Sequence, residues 1–444
     1  MDRKTATGLK FALAMLAALT ALPVLAQVTP QVTAEDVHRA ERAQFGFGDL
    51  RAGADGNNPD AANAANSNEM LVGNYVLPPL FENARQQTPA GWPARRAELA
   101  RMVEDNWVGR IPAVVDDFRI EWDKVPVVTA SLVHLLNDNF VEDWTGRIVT
   151  SDGRSGPVIS ARIYLAKHNR PRPAIINYTY VWPGGVTPNF GGTPAPDAIR
   201  QALDNGWVYV EYRPQMLQAD NGAQMEQGII GLARWPRQQY DWGALRAWGW
   251  GASQLREELS RDPRISPSRI SLTGHSRFGK GVLVAAAYDL EFADAHVSSS
   301  GAGGAKLMRR DFGERWENLA ASGEFHWFTP NIMNFARDPL SVDDLPVDAH
   351  MLIALRAPRP LFITSGLAEK GDSWVDPAGM WTAFMLAQPA WEVFGASLPP
   401  FGMPVPESRE QMPYPLGWYQ HGEGHVPWPA YDEFYEHAER FFED

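Results

Sequence analysis

Ser276 lies where an apolar run gives way to a helical pattern, a place from which a serine hydroxyl can act as a nucleophile. The stretch reads Ile270-Ser271-Leu272-Thr273-Gly274-His275-Ser276-Arg277-Phe278-Gly279-Lys280. A strand running into Gly274, then Ser276, then a helix starting near Gly279 makes a tight turn that lifts the hydroxyl above a sheet. The second glycine comes one residue later than in the commonest version, and Phe278 stands in its usual place. The N-terminus of the following helix brings the positive end of a dipole near any oxyanion that forms. The competing reading is an ordinary strand-to-helix turn with an idle serine.

A serine needs a base to take its proton, and the base needs an acid to orient it. In α/β-hydrolases these follow in chain order: serine, acid, histidine. Here the apolar run 360–364 is followed by a loop holding Glu369, Asp372 and Asp376. Near the end stands His421-Gly422-Glu423-Gly424-His425, just before the last helical pattern. Two histidines four apart can also mark a metal site. Gly422 and Gly424 argue against the helix such a pair needs, and no cysteine or further histidine completes a ligand set. No metal and no cofactor are therefore expected.

These loops need a frame. Apolar runs at 160–165, 174–178, 207–212, 270–273 and 360–364 alternate with helical patterns, which predicts an α/β fold. The expected architecture is an α/β-hydrolase fold, a mainly parallel central sheet flanked by helices on both faces. Trp242, Leu245, Trp248, Ala252, Leu255 and Leu259 recur at helical spacing within 240–259, and Tyr431, Phe434, Tyr435, Ala438, Phe441 and Phe442 do so within 430–442. Both stripes read as core-facing.

Composition narrows the function. The 444 residues are 45% hydrophobic and 21% charged, as in an ordinary soluble globular protein. A net charge of −13 argues against a nucleic-acid partner, which would want a basic surface. Seventeen tryptophans read mostly as core, although indole faces also serve as platforms for sugars. Arg3, Lys4 and Lys10 precede an apolar run, 11–22, too short to span a bilayer comfortably, and Val24-Leu25-Ala26 suits cleavage before Gln27. Residues 1–26 thus read as a signal peptide, with no membrane association after its removal and a mature net charge of −15. The absence of cysteine rules out disulfides and thiol chemistry. Export without cysteine suits a bacterial periplasm or the medium. Residues 27–69, with Gly53-Ala54-Asp55-Gly56-Asn57-Asn58-Pro59, read as a flexible segment, and 70–444 as one catalytic domain.

Gly274-His275-Ser276-Arg277-Phe278-Gly279-Lys280 resembles the Gly-x-Ser-Arg-x-Gly-Lys signature of the glucuronoyl esterases, carbohydrate esterase family 15. The resemblance extends over roughly residues 70–440. Asp241-Trp242-Gly243, Ser300-Gly301-Ala302-Gly303-Gly304-Ala305, Phe312-Gly313-Glu314, His326-Trp327-Phe328, the stretch 345–350 and Asp372-Ser373-Trp374-Val375-Asp376-Pro377 all carry it. It implies cleavage of the ester between the 4-O-methyl-glucuronic acid of xylan and lignin alcohols. Carried over by position, Ser276 is the nucleophile and His425 the general base. Arg277 supports the oxyanion, while Lys280, Glu314 and Trp374 hold the hydroxyls and ring of the sugar.

One departure matters. Fungal members carry the acid as a Glu just before their Ser-Gly-x-Gly-Gly stretch, and here that position is Ser299. Some bacterial members place the acid after the later strand, which makes Asp372 the expected acid and Glu369 the second choice. Asp376, followed by Pro377, reads as a turn or helix-start residue. His275 replaces a fungal cysteine and is expected beneath the elbow. Two other functions compete: an esterase for acetylated xylan or small esters, and a non-catalytic carbohydrate-binding protein on a hydrolase scaffold.

Overall fold

In a computed structural model of the protein, residues 31–127, 139–167, 169–180, 198–406 and 412–442 are described. Nine strands form one sheet: β1 (Arg119–Pro126), β2 (Asn139–Val149), β3 (Ser155–Ala166), β4 (Arg172–Tyr178), β5 (Val208–Tyr212), β6 (Ile265–His275), β7 (Ala295–Ser298), β8 (Leu361–Ser365) and β9 (Leu416–Gln420). Their order is β1-β2-β3-β5-β4-β6-β7-β8-β9. The pairings from β5 through β4 and β6 to β9 are parallel, and those among β1, β2, β3 and β5 are antiparallel.

Alternation along the strands builds two cores. Ala174, Ile176 and Tyr178 join one cluster while Ile175 joins the other, and Phe362 is split from Leu361 and Ile363 in the same way. Successive side chains of a strand point to opposite faces, so these clusters lie on opposite faces of the sheet. The helices Ala198–Asp204 and Tyr431–Phe441 cover the smaller cluster. The helix Ala244–Leu259 covers the larger with Leu245, Trp248, Ala252, Leu255 and Leu259, while Trp242, expected on the same helix, is buried in that cluster just before the helix starts. Trp248 there is fully buried and donates through Nε1 to Gln218 O at 2.8 Å. Its truncation to alanine would cost about 3–5 kcal/mol. Nine tryptophans are among the largest fully buried side chains, which accords with the core reading of most of them.

Parallel pairing brings the ends of several strands to one edge. His275 pairs with Ser298, Ser298 with Thr364, and Ser365 with Gln420. The residues that follow, Ser276, Ser299, Gly366 and His421, therefore emerge side by side. In open α/β sheets this carboxyl edge is where ligands bind.

The N-terminal segment departs from expectation. Residues Thr33–Asp444 group as one compact unit, so the boundary expected at residue 70 is not seen. Ala34–Phe45 is a helix, opened by a reciprocal cap between Thr33 and Asp36 and closed by Gly46 at φ 67°. His38 Nε2 donates to Ala320 O at 2.9 Å, and Glu41 forms a buried bidentate pair with Arg237. Further on, Asn318 exchanges hydrogen bonds of 2.9 Å with both backbone groups of Ala54. The Asn- and Asp-rich composition that reads as a linker instead supplies side chains for such anchors and for turns, as where Asp55 Oδ1 accepts from Asn57 N. The expected signal peptide, residues 1–26, lies outside the described residues. Among the described residues no helix is long and apolar enough to cross a membrane.

Candidate active site

β6 delivers Ser276 into an unusual backbone state, φ 58° and ψ −129°. Positive φ is rare for a side chain with a Cβ, and residues held there cluster at functional sites. The helix Arg277–Tyr288 starts at the very next residue, earlier than the Gly279 expected from the sequence. The glycines explain how so sharp a turn fits. A Cβ on Gly274 would fall 2.5 Å from Phe278 O, and one on Gly279 would fall 2.8 Å from Ser298 O. Gly279 therefore lets the helix close against β7. Ser276 N donates to Ser298 O at 2.9 Å, which ties the elbow to the neighbouring strand.

Asp372 and His425 come from loops after β8 and before the last helix, and those loops lie backbone to backbone. Leu367 N donates to Glu423 O at 2.8 Å, and a Cβ on Gly366 would fall 2.1 Å from Gly424 O. This contact sets His425 Nδ1 2.7 Å from Asp372 Oδ1. The Asp372 side chain is 0% exposed. Its Oδ2 accepts from Ser299 Oγ at 2.8 Å and from Gly366 N at 2.6 Å. A proton held on Nδ1 leaves His425 Nε2 as the acceptor, which is the tautomer a general base needs.

The other candidates for these roles sit elsewhere. Glu369 is exposed on a short turn. Asp376 caps the helix Pro377–Ala387 through Gly379 N at 2.9 Å and pairs with Arg310, as its sequence context suggests. His421 is buried with neither ring nitrogen hydrogen-bonded. His275 is half-buried beside His425, with its ring centroid 4.4 Å from that of His425 and its Nδ1 3.1 Å from Ser298 Oγ. Burial, and then the neighbouring His425, hold the His275 pKa well below its ordinary value, so the ring stays neutral. Among the described residues, no three His, Asp or Glu group as a metal site.

A charged cluster extends from the elbow helix. Lys280 Nζ donates to Glu314 Oε2 at 3.0 Å, both side chains being buried. Glu314 N donates to Trp374 O at 3.1 Å, which joins two of the predicted sugar-binding residues through their backbones. Trp374 is half-buried, and a Cβ on Gly56 would fall 2.6 Å from its ring, so the N-terminal segment packs against it. Arg277 Nη1 donates to Asp220 Oδ2 at 2.8 Å. The Trp327 ring centroid lies 5.2 Å from the Arg277 guanidinium and 5.0 Å from Lys280 Nζ.

Three residues here escape a reading of the sequence. Glu324 is a half-buried carboxyl that burial, and then the negative Glu314, push up to about 8, so it holds a proton at neutral pH. The Tyr180 ring packs tilted against Phe278 with centroids 4.2 Å apart, and burial raises its phenol to about 12. Asp220 stands 57 residues before Arg277, in a loop without a motif. Only Glu324 lay near a usable signal, two residues before His326-Trp327-Phe328.

A serine at positive φ on a strand-to-helix elbow, with an Asp–His pair at the same sheet edge, sits on the mostly parallel sheet of an α/β-hydrolase. Comparison with known proteins narrows this. The family model described as glucuronyl esterase, fungi, matches residues 148–395, more than half of the chain. A glucuronoyl esterase structure of carbohydrate esterase family 15 from Teredinibacter turnerae is 35% identical, with TM-score 0.82 over 92% of this chain and 99% of that one. The chain belongs to the glucuronoyl esterases of carbohydrate esterase family 15. A glucuronoyl esterase from Solibacter usitatus is 26% identical, with TM-score 0.71 over 84% of this chain and 100% of that one. Among curated relatives, the carbohydrate esterase MZ0003 of an unknown prokaryotic organism is 35% identical over 203 residues, 44% of either chain. The 4-O-methyl-glucuronoyl methylesterase of Hypocrea jecorina is 27% identical over 72% of this chain. The match spans 61% of that relative's length.

Proposed function

We propose that this chain hydrolyses the ester between the 4-O-methyl-glucuronic acid of xylan and the alcohols of lignin. Its partners are then glucuronoxylan and lignin–carbohydrate esters. Ser276 Oγ attacks the uronate carbonyl while His425 Nε2 takes its proton, and Asp372 stabilises the imidazolium that results. The tetrahedral oxyanion meets Arg277 and the N-terminus of the elbow helix. Collapse expels the alcohol, which takes the proton back from His425 and leaves an acyl-enzyme. Water, deprotonated by the same imidazole, attacks the acyl carbonyl, and collapse frees the uronic acid as the imidazolium returns the proton to Ser276 Oγ.

The observation that carries the uronate reading is the buried Lys280–Glu314 pair, starting one helical turn from Ser276. Sugar hydroxyls want a cation to donate to them and a carboxylate to accept from them. An esterase for a simple acyl group needs neither. Trp374 supplies the apolar face for the ring. The signal-like residues 1–26 support export to the periplasm or the medium.

The test is to compare hydrolysis of benzyl glucuronate with that of an acetylated sugar. The reading expects at least a hundredfold preference in kcat/KM for the glucuronate. Equal rates, or a preference for the acetate, would favour the acetyl-esterase alternative.

A further inference from the structure

Asp220 gathers three donors onto one enclosed carboxylate. Oδ2 accepts from Arg277 Nη1 at 2.8 Å, while Oδ1 accepts from Trp327 Nε1 at 2.6 Å and His326 Nε2 at 3.1 Å. The Asp220 side chain is 6% exposed, whereas that of Arg277 is 43% exposed. One end of this ion pair is thus fixed by the fold, and the other reaches toward solvent beside Ser276. A long side chain of that exposure would ordinarily sample several rotamers.

We infer that Asp220 is a positioning residue for Arg277, holding the guanidinium where its remaining N–H groups face the oxyanion formed at Ser276. A guanidinium has five donors, and Asp220 takes one of them in a fixed geometry. Oxyanion donors act through being in place before charge develops, so the effect of Asp220 falls on turnover. Trp327 contributes by closing one side of the same guanidinium. This inference rests on the serine-esterase reading but not on the identity of the acyl group.

The experiment is a double-mutant cycle of Asp220→Asn and Arg277→Ala, assayed on an aryl acetate and on benzyl glucuronate. Asp220→Asn should lower kcat roughly 10- to 100-fold, a fraction of the loss when an oxyanion donor is removed outright. KM should stay within about threefold, and in the Arg277→Ala background the same change should alter kcat less than about twofold. A full loss persisting without Arg277, or a loss carried by KM, would overturn the inference and make Asp220 a structural anchor of His326 and Trp327. If Asp220→Asn does not fold, Asp220→Glu enters the same cycle. It keeps the charge and moves the oxygens by one methylene. Wild-type kcat in that variant would equally overturn the inference. Were the wild-type protein to cleave the acetate and not the glucuronate, the uronate reading would fall while the cycle remained readable.

Discussion

Ser299 Oγ and His425 Nδ1 hold opposite oxygens of one carboxylate, that of Asp372, at 2.8 and 2.7 Å. Ser299 follows β7 with φ 42°, and Asp372 comes from the loop after β8, the strand paired alongside. The family resemblance implies an acid at the Ser299 position in fungal members. Two neighbouring strands thus point at one place beside the imidazole, and a carboxylate can arrive there from either. In this chain the β8 loop presents a carboxylate there, and Ser299 after β7 donates a hydrogen bond to it.

The proposed nucleophile and base give the first expectation. Ser276→Ala and His425→Ala should each lower kcat by on the order of 10⁴–10⁶ with circular dichroism unchanged. His421→Ala should be much milder, because Asp372 bonds the other histidine. Turnover of one ester by the three purified variants decides this. Equal losses at the two histidines would reverse the choice of base.

Lys280→Ala should weaken glucuronate hydrolysis by about 1–3 kcal/mol in kcat/KM, while leaving an aryl acetate nearly unaffected. It should also lower Tm, since it removes the cation paired with the buried Glu314 side chain. Lys280→Met combined with Glu314→Gln should recover the Tm but not the glucuronate preference. Parallel losses on both substrates would make Lys280 a structural residue.

These expectations were reachable from the sequence because the parts involved are local or strongly patterned. The centres of β4, Ala174-Ile175-Ile176, and of β8, Leu361-Phe362-Ile363, are buried apolar runs, as strands covered on both faces should have. The elbow is seven contiguous residues. β2 was not legible: its Glu142, Asp143 and Arg147 look like surface chain, and the cross-strand pair of Asp143 with Arg162 that rationalises one of them appears only on pairing. β9 begins Leu416-Gly417, and that glycine is needed because a Cβ would fall 2.7 Å from His437 Nε2. Asp220 was invisible for the same reason. Its meaning lies in three partners distant in sequence. The segment 33–69 misled through composition, since its polar residues serve as anchors.

Glu324 ties stability to pH. Its folded pKa, about 8, lies above the 4.5 of a free glutamate. Below pH 4.5 both states are protonated and folding bears no penalty from this group. Between 4.5 and 8 the unfolded chain gives up the proton and the native state keeps it, so stability falls as pH rises, then levels off. Glu324→Gln should remove that slope. The Tm of the variant relative to wild type should therefore climb from pH 4.5 to 8 and stay flat above. Parallel Tm–pH curves would show that Glu324 ionises normally.

The last expectation returns to the relocated acid. Asp372→Asn should cut turnover by several powers of ten. The amide can still face the imidazole, but it favours the wrong tautomer and cannot stabilise the imidazolium. Glu369→Gln should have little effect, as that side chain is exposed on its turn. Ser299→Glu in the Asp372→Asn background should restore part of the activity, because Ser299 already lies within hydrogen-bond reach of the Asp372 carboxylate. The added length of a glutamate would bring its oxygens toward His425 Nδ1. In an otherwise wild-type chain the same Ser299→Glu change should instead be harmful, since two carboxylates would then crowd one buried site and one would have to take up a proton. The measurement is turnover of a single glucuronate ester by all four variants across pH. Near-normal activity in Asp372→Asn with collapse in Glu369→Gln would move the acid to Glu369. Failure of Ser299→Glu to rescue a folded Asp372→Asn protein would mean that only the β8 loop can present a carboxylate to this histidine.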